Sequence, residues 1–282
     1  MKQASLLRSS LPTASRLLAL VLVLLVLAGC HKFQARLEFK AGNGLYRSER
    51  YRDALTQFQK GLALDPGATF AWRSVGLTAM ALYRPGIEGE ENEHLADVAI
   101  DAFEKYERAY PNDPRIEEYL ITVLINAERY DEALARLERK ARAGDPTAGA
   151  AIVNVMVKAG RLPAAFERAH RLGASPDPQL LYTIGVAAWA SSYSDATLNL
   201  ARRSAVVELG LNAIREALDL KPDYFEAMAY YNLLFREKAK VTIDPLEQQK
   251  CLALADDWMH QAIALRDRQL HEESVAAQPT RS

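Results

Sequence analysis

The feature that most constrains this chain is a recurrence of small and large residues in a fixed order. Gly42 and Leu45 are followed by Tyr51, Ala54, Phe58, Gly61 and Pro66; Trp72, Val75, Gly76 and Ala79 then restart the order. Small residues in such an order let two helices approach closely, large ones fill the space between them, and a proline stops the second helix. The second unit closes late, with Ala99, Phe103 and Pro111. A third reads Leu120, Leu124, Tyr130, Ala133 and Leu137, ending near Asp145-Pro146. A fourth reads Ile152, Val153, Met156, Gly160, Leu162 and Ala165, ending near Asp177-Pro178. A fifth opens with Leu181, Ile184, Gly185 and Ala188 and closes with Ile214, Ala217, Leu218 and Pro222. A sixth runs from Met228, Tyr231, Asn232 and Phe235 to Ala255, Met259, Ala262 and Leu265. No such unit can bury its apolar stripe alone, so the recurrence predicts a stack.

These residues and their spacing resemble the tetratricopeptide repeat, whose period is about 34 residues. The resemblance runs from about residue 33 to about residue 267, closest in the first and third units and most degenerate in the last two. It implies an all-α chain, a right-handed superhelical α-solenoid of about six helix pairs with a concave and a convex face. Where the units depart from the pattern, the turn between their two helices is expected to be lengthened, at Tyr83 to Glu93, Ser191 to Val207 and Lys238 to Lys250. Asp256, Asp257, Arg266, Asp267 and Arg268 suit the polar outer side of a terminal helix.

The first residues differ in kind. Lys2, Arg8 and Arg16 precede an unbroken apolar run from Leu17 to Ala28. A basic start, an apolar stretch of about a dozen residues and small residues before a cut describe a secretory signal. Leu27-Ala28-Gly29-Cys30 resembles the lipobox of bacterial lipoproteins, in which the cysteine sulfur takes a diacylglyceryl group and the signal is cut just before it. That implies a signal peptide over 1–29, a lipid-anchored linker over 30–34, the repeat domain over 35–267 and a polar tail over 268–282 that frays from His271. The expected place is the cell envelope, facing the periplasm; His31 after the lipidated Cys30, where a retention signal would have Asp, favours the outer over the inner membrane.

Hydrophobic residues at 49% and charged ones at 25% exclude a wholly disordered chain, and a net charge of -1 gives no basic field for nucleic acid. Cys251 is the sole cysteine besides Cys30, so it has no internal disulfide partner once Cys30 is lipidated and reads as a small core residue. No nucleophile elbow, phosphate-cradling glycine loop, HExxH or CxxC occurs, and His31, His94, His170, His260 and His271 lack ligand spacing. The acidic stretch from Glu88 to His94 lacks the ligand order of a calcium loop. Neither enzymatic activity nor a cofactor or metal is expected.

What remains is recognition. In tetratricopeptide-repeat proteins the first helix of each unit lines the groove, and the matching positions here are Arg36, Phe39, Asn43, Tyr46 and Arg47, then Phe70, Arg73, Leu77 and Met80. Arg115 and Asn126 follow in the third unit, Asn154 and Lys158 in the fourth, Tyr182 and Trp189 in the fifth, and Arg236 and Glu237 in the sixth. Aromatic surfaces beside Asn and Arg suit an extended protein or peptide segment, the amide bonding its backbone and the guanidinium its carboxylates. The arginines of the first half either meet an acidic partner, or are solvated or paired with Glu on neighbouring helices. The sequence thus points to a lipid-anchored envelope scaffold, with an accessory role in periplasmic solute transport as the rival reading if the insert after Trp189 closes over a ligand.

Overall fold

Close packing between a glycine of one helix and a ring of the next organises the fold. The structure, a computed structural model, describes residues 31–276, which form twelve α-helices and no strand. They fall into two compact units divided after Ala127.

The first unit holds α1 (31–47), α2 (Tyr51–Leu64), α3 (Ala71–Leu82), α4 (Glu90–Ala109) and α5 (Pro114–Asn126). The short turns between them return each helix alongside its predecessor. A β-carbon added to Gly42 would stand 2.8 Å from the Phe58 ring, and one added to Gly61 only 2.3 Å from Phe39. α1 and α2 therefore lock reciprocally, each lending a glycine gap to the other's phenylalanine. Gly76 of α3 does the same for Phe103 of α4, at 2.5 Å. Phe58 and Phe103 are almost wholly buried, each contributing about 1.5–3 kcal/mol by leaving water.

The second unit holds α6 (Tyr130–Arg142), α7 (Ala148–Lys158), α8 (Leu162–His170), α9 (Pro178–Ser194), α10 (Leu200–Leu220), α11 (Phe225–Val241) and α12 (Pro245–Ala276). The lock recurs in the degenerate fifth repeat, where a β-carbon on Gly185 of α9 would stand 2.4 Å from Ile214 of α10. The sixth repeat has Asn232 in the small position instead; buried, its amide donates to the Ala229 carbonyl at 3.2 Å and accepts from Arg236 at 2.9 Å. Cys251 is buried in α12, as a core residue should be. Within the two units the expected helix pairs are present as α1 with α2, α3 with α4, α7 with α8, α9 with α10 and α11 with α12, and the fold is all-α of tetratricopeptide type.

Two local devices set the helix ends. After α1 the chain turns through Glu49 at φ 58°, and the backbone N–H of Arg50 reaches back to the Leu45 carbonyl at 3.0 Å. Gly160 at φ 69° makes the same turn after α7, with Arg161 donating to Met156 at 2.8 Å. These are left-handed helix caps. Two Asp-Pro pairs, Asp113-Pro114 and Asp177-Pro178, open helices. Asp113 caps α5 by accepting from the Arg115 amide at 3.2 Å, and Asp177 caps α9 by accepting from Gln179 at 2.8 Å. Pro114 and Pro178 occupy first-turn positions where no donor is missed.

The inserted residues depart from expectation. Only the first forms a long turn, 83–89, tied by the Asn92 side chain, which accepts from the Arg84 amide and donates to the Arg84 and Ile87 carbonyls. The Ser191 to Val207 and Lys238 to Lys250 inserts mostly lengthen their helices, leaving short turns at 195–199 and 242–244. Residues 31–34 belong to the helix α1, and α12 continues to Ala276, past His271 where fraying was expected to begin. Cys30 and the 1–29 segment lie outside the described residues.

Candidate partner-binding recess

In the first unit, α1 carries one open face. Arg36, Lys40, Asn43 and Arg47 recur at spacings of four, three and four residues, which places them on one side of the helix. Phe39 and Tyr46 flank that row, and Phe70, immediately before α3, closes it. These seven residues line a recess of about 440 Å³. Six of them, all but Lys40, are positions at which the repeat pattern put the groove.

The walls are aromatic and the rim is cationic. Phe39 is buried, its ring filling the Gly61 gap while meeting Phe70 edge-on at 5.5 Å. Phe70 itself is 56% exposed, so one of its faces is open to a ligand. Tyr46 meets Tyr51 edge-on at 5.2 Å, and burial, then the neighbouring Tyr51 and Tyr119, push its hydroxyl pKa up, so it stays a hydrogen-bond donor at neutral pH. Three cations and no carboxylate belong to the lining, and Arg36 and Arg47 form no ion pair among the described residues. Both are exposed, so neighbouring glutamates do not absorb them and their charge faces solvent.

The remaining groove candidates do not line this recess. Arg73 on α3 is half-buried; its Nε has no hydrogen-bond partner, and its charge lies close enough to Tyr106 to oppose the rise that burial imposes on that hydroxyl. Leu77 is half-buried on the same helix. Arg115 is exposed and pairs with Asp113 at 3.3 Å, and the Asn126 carbonyl accepts from the Tyr83 hydroxyl at 2.8 Å. In the second unit Asn154 and Lys158 are exposed on α7. Tyr182 and Trp189 of α9 are half-buried in an aromatic cluster, Tyr182 against Tyr224 and Tyr230, and Trp189 against Tyr230 and stacked on Tyr193 at 5.3 Å. Burial, then Tyr182 and Glu226, drive the Tyr224 hydroxyl up to about 12.

Glu237 of α11, expected on the inner face, is instead buried; it accepts from the Ser192 hydroxyl at 3.1 Å and from Lys240 at 2.5 Å. Lys40 and Tyr193 were missed. Lys40 was legible as a further cation on the α1 row, but Tyr193 belongs to a stretch expected to be turn. Glu90, Glu91 and Glu93 open α4, where the helix dipole favours acidic side chains, and Glu91 pairs with Arg52.

The arrangement defines a class: tetratricopeptide-type helix pairs with a basic, aromatic-lined recess on α1. No family model and no curated protein matches the chain. Solved structures similar to it include YrrB, described as a TPR protein with an unusual peptide-binding site, at 22% identity over 68% of this chain and 88% of that one, with a TM-score of 0.39. Another is the C-terminal part of a TPR repeat-containing protein from Cytophaga hutchinsonii, at 14% identity over 82% and 80%, with a TM-score of 0.47. A third is a TPR repeats protein from Bacteroides fragilis, at 14% identity over 71% and 97%, with a TM-score of 0.39.

Proposed function

We propose that this protein is a cell-envelope scaffold, lipid-anchored through Cys30, that binds extended acidic segments of partner proteins in the α1 recess. The observation that carries the reading is the recess itself: three cations, an amide and aromatic walls with no carboxylate among them. A peptide laid along it meets Arg36, Lys40 and Arg47 as charge partners for Asp or Glu, Asn43 as a backbone partner and Phe70 as an apolar platform. Arginine is suited to this because its planar fork bonds a carboxylate bidentately. The lipobox residues Leu27-Ala28-Gly29-Cys30 support placement on a membrane facing the periplasm, the outer one by the His31 criterion.

The rival transport role loses its motivating feature, since most of the insert after Trp189 extends α9 and α10 and forms no long flap. The test is fluorescence anisotropy of a labelled Glu-rich, aromatic-containing peptide and its Gln-substituted counterpart against the full chain. The acidic peptide should bind more tightly, weaken with salt, and lose about tenfold or more on Arg36→Glu with Arg47→Glu. Equal binding of the two peptides, or no effect of the double substitution, rejects the recess. Feeding cells an alkyne-tagged fatty acid should label the wild type and not Cys30→Ser; an unlabelled wild type rejects the anchor.

A further inference from the structure

The terminal helix α12 is longer than its packing requires, and it leaves a stripe of apolar residues uncovered. Leu252, Ile263 and Leu270 are 42%, 41% and 56% exposed, and Met259 between them is half-buried. At about 100° per residue these four lie within about 20° of one line along the helix. The buried residues Cys251, Ala255 and Ala262, which face the rest of the unit, lie to one side of that line. Only two charged side chains fall within about 40° of it, Asp256 and Arg266. Both are exposed and engaged only in surface pairs, Asp256 with Arg236 at 2.6 Å and Arg266 with Asp267 at 2.9 Å, which solvent screens and which rearrange at little cost.

The order of residues along this stripe is a palindrome. A second α12 laid antiparallel, with the twofold axis level with Gln261, sets Leu252 against Leu270, Met259 against Ile263, and Asp256 against Arg266. The second half of the contact repeats the first, as an isologous interface demands. A parallel pair would set Asp256 against Asp256 and Arg266 against Arg266, so the charges select the antiparallel arrangement. We infer that the occupant of this face is a second copy of the same chain, docked through an antiparallel α12–α12 pair. The contact from Leu252 to Leu270 spans about 27 Å, one helix wide. Such an interface is small for a permanent assembly and gives a reversible, concentration-dependent dimer. Two copies double the number of α1 recesses on one membrane-held particle, which strengthens binding to a partner carrying two acidic segments.

The experiment is sedimentation velocity of the full chain in a mild non-ionic detergent over a range of concentrations, with far-UV circular dichroism to confirm helix content. The wild type should pass from monomer to dimer as concentration rises. Ile263→Glu, at an exposed position, should weaken the dimer at least about tenfold without loss of helix. Asp256→Arg and Arg266→Asp should each weaken it, and the two together should restore it. A chain monomeric at every concentration, or a dimer untouched by Ile263→Glu, overturns the proposal. A charge swap that fails to restore the dimer overturns the antiparallel register. Each readout is independent of peptide binding, so failure here leaves the recess to be judged separately.

Discussion

Replacing Gly76 by alanine tests a glycine gap that faces a fully buried ring. The added β-carbon would lie 2.5 Å from Phe103 Cε1 and 2.6 Å from Cδ1, against about 3.5–4.0 Å for a comfortable carbon contact. The ring must therefore retreat by about 1 Å, yet Phe103 is fully buried and has no free volume to enter. Overpacking of this kind costs about 1–3 kcal/mol, while alanine in place of a mid-helix glycine returns about 1 kcal/mol. The expected net effect of Gly76→Ala is a loss of up to about 2 kcal/mol. In the Phe103→Leu background the shorter side chain leaves room for the methyl group, so the same change should become neutral or stabilising. The assay is urea unfolding of the four proteins followed by circular dichroism, read as a double-mutant cycle with a coupling of about 2 kcal/mol. Additivity within about 0.5 kcal/mol, or a stabilising Gly76→Ala in the wild-type background, would refute the claim that steric exclusion of a β-carbon shapes this helix pair.

The left-handed turns and one histidine give further tests. Glu49→Gly and Glu128→Gly, at φ 58° and 57°, should each raise thermal stability by about 0.5 kcal/mol, because relief of left-handed strain outweighs glycine's larger unfolded entropy; Gly160→Ala, at φ 69°, should lower it by about 1 kcal/mol. Equal melting temperatures across these variants would contradict the strain. His170 Nδ1–H donates to the Phe166 carbonyl at 2.8 Å and Nε2 faces Glu216 at 2.7 Å; the backbone bond, aided by the carboxylate against opposing burial, lifts its pKa above the ordinary value. A raised folded-state pKa means that the stabilisation is complete below the unfolded value of about 6.5 and fades as pH rises through the folded value. His170→Gln should therefore destabilise more at about pH 5.5 than at about pH 8.5, and the reverse ordering in thermal melts would negate the assignment.

How much of this was legible in the letters depends on which property a residue carries. Side-chain size is written in the sequence, so Gly42 with Phe58 and Gly185 with Ile214 announced helix pairs even where an insert separated the two halves. Helix length was less legible. Leu200 to Arg203 is a run of good helix formers next to Asp195 and Asn199, which favour a turn, and the packing of α9 on α10 settled the competition in favour of longer helices. The α1 face could be read because that helix has no repeat before it within the described residues, so its pattern positions stay open. Arg73 occupies a matching position on α3, but α4 brings Tyr106 beside it, and Glu237 is drawn inward by Ser192. A repeat pattern states which way a side chain starts; neighbouring elements decide where it ends.

That distinction separates the two proposed surfaces and makes each a control for the other. The recess depends on side chains from α1 and on Phe70, all within the first compact unit; the palindromic stripe lies on α12, in the second. Ile263→Glu should leave the affinity for a single acidic peptide unchanged, because no group at the recess is altered. Arg36→Glu with Arg47→Glu should leave the monomer–dimer equilibrium unchanged for the same reason. A peptide carrying two acidic segments is the informative case. It should bind the wild type more tightly than the single-segment peptide does, and that gain alone should vanish with Ile263→Glu. Were the gain to persist in the monomeric variant, both segments would have to sit on one chain, and the dimer would have no part in partner recognition.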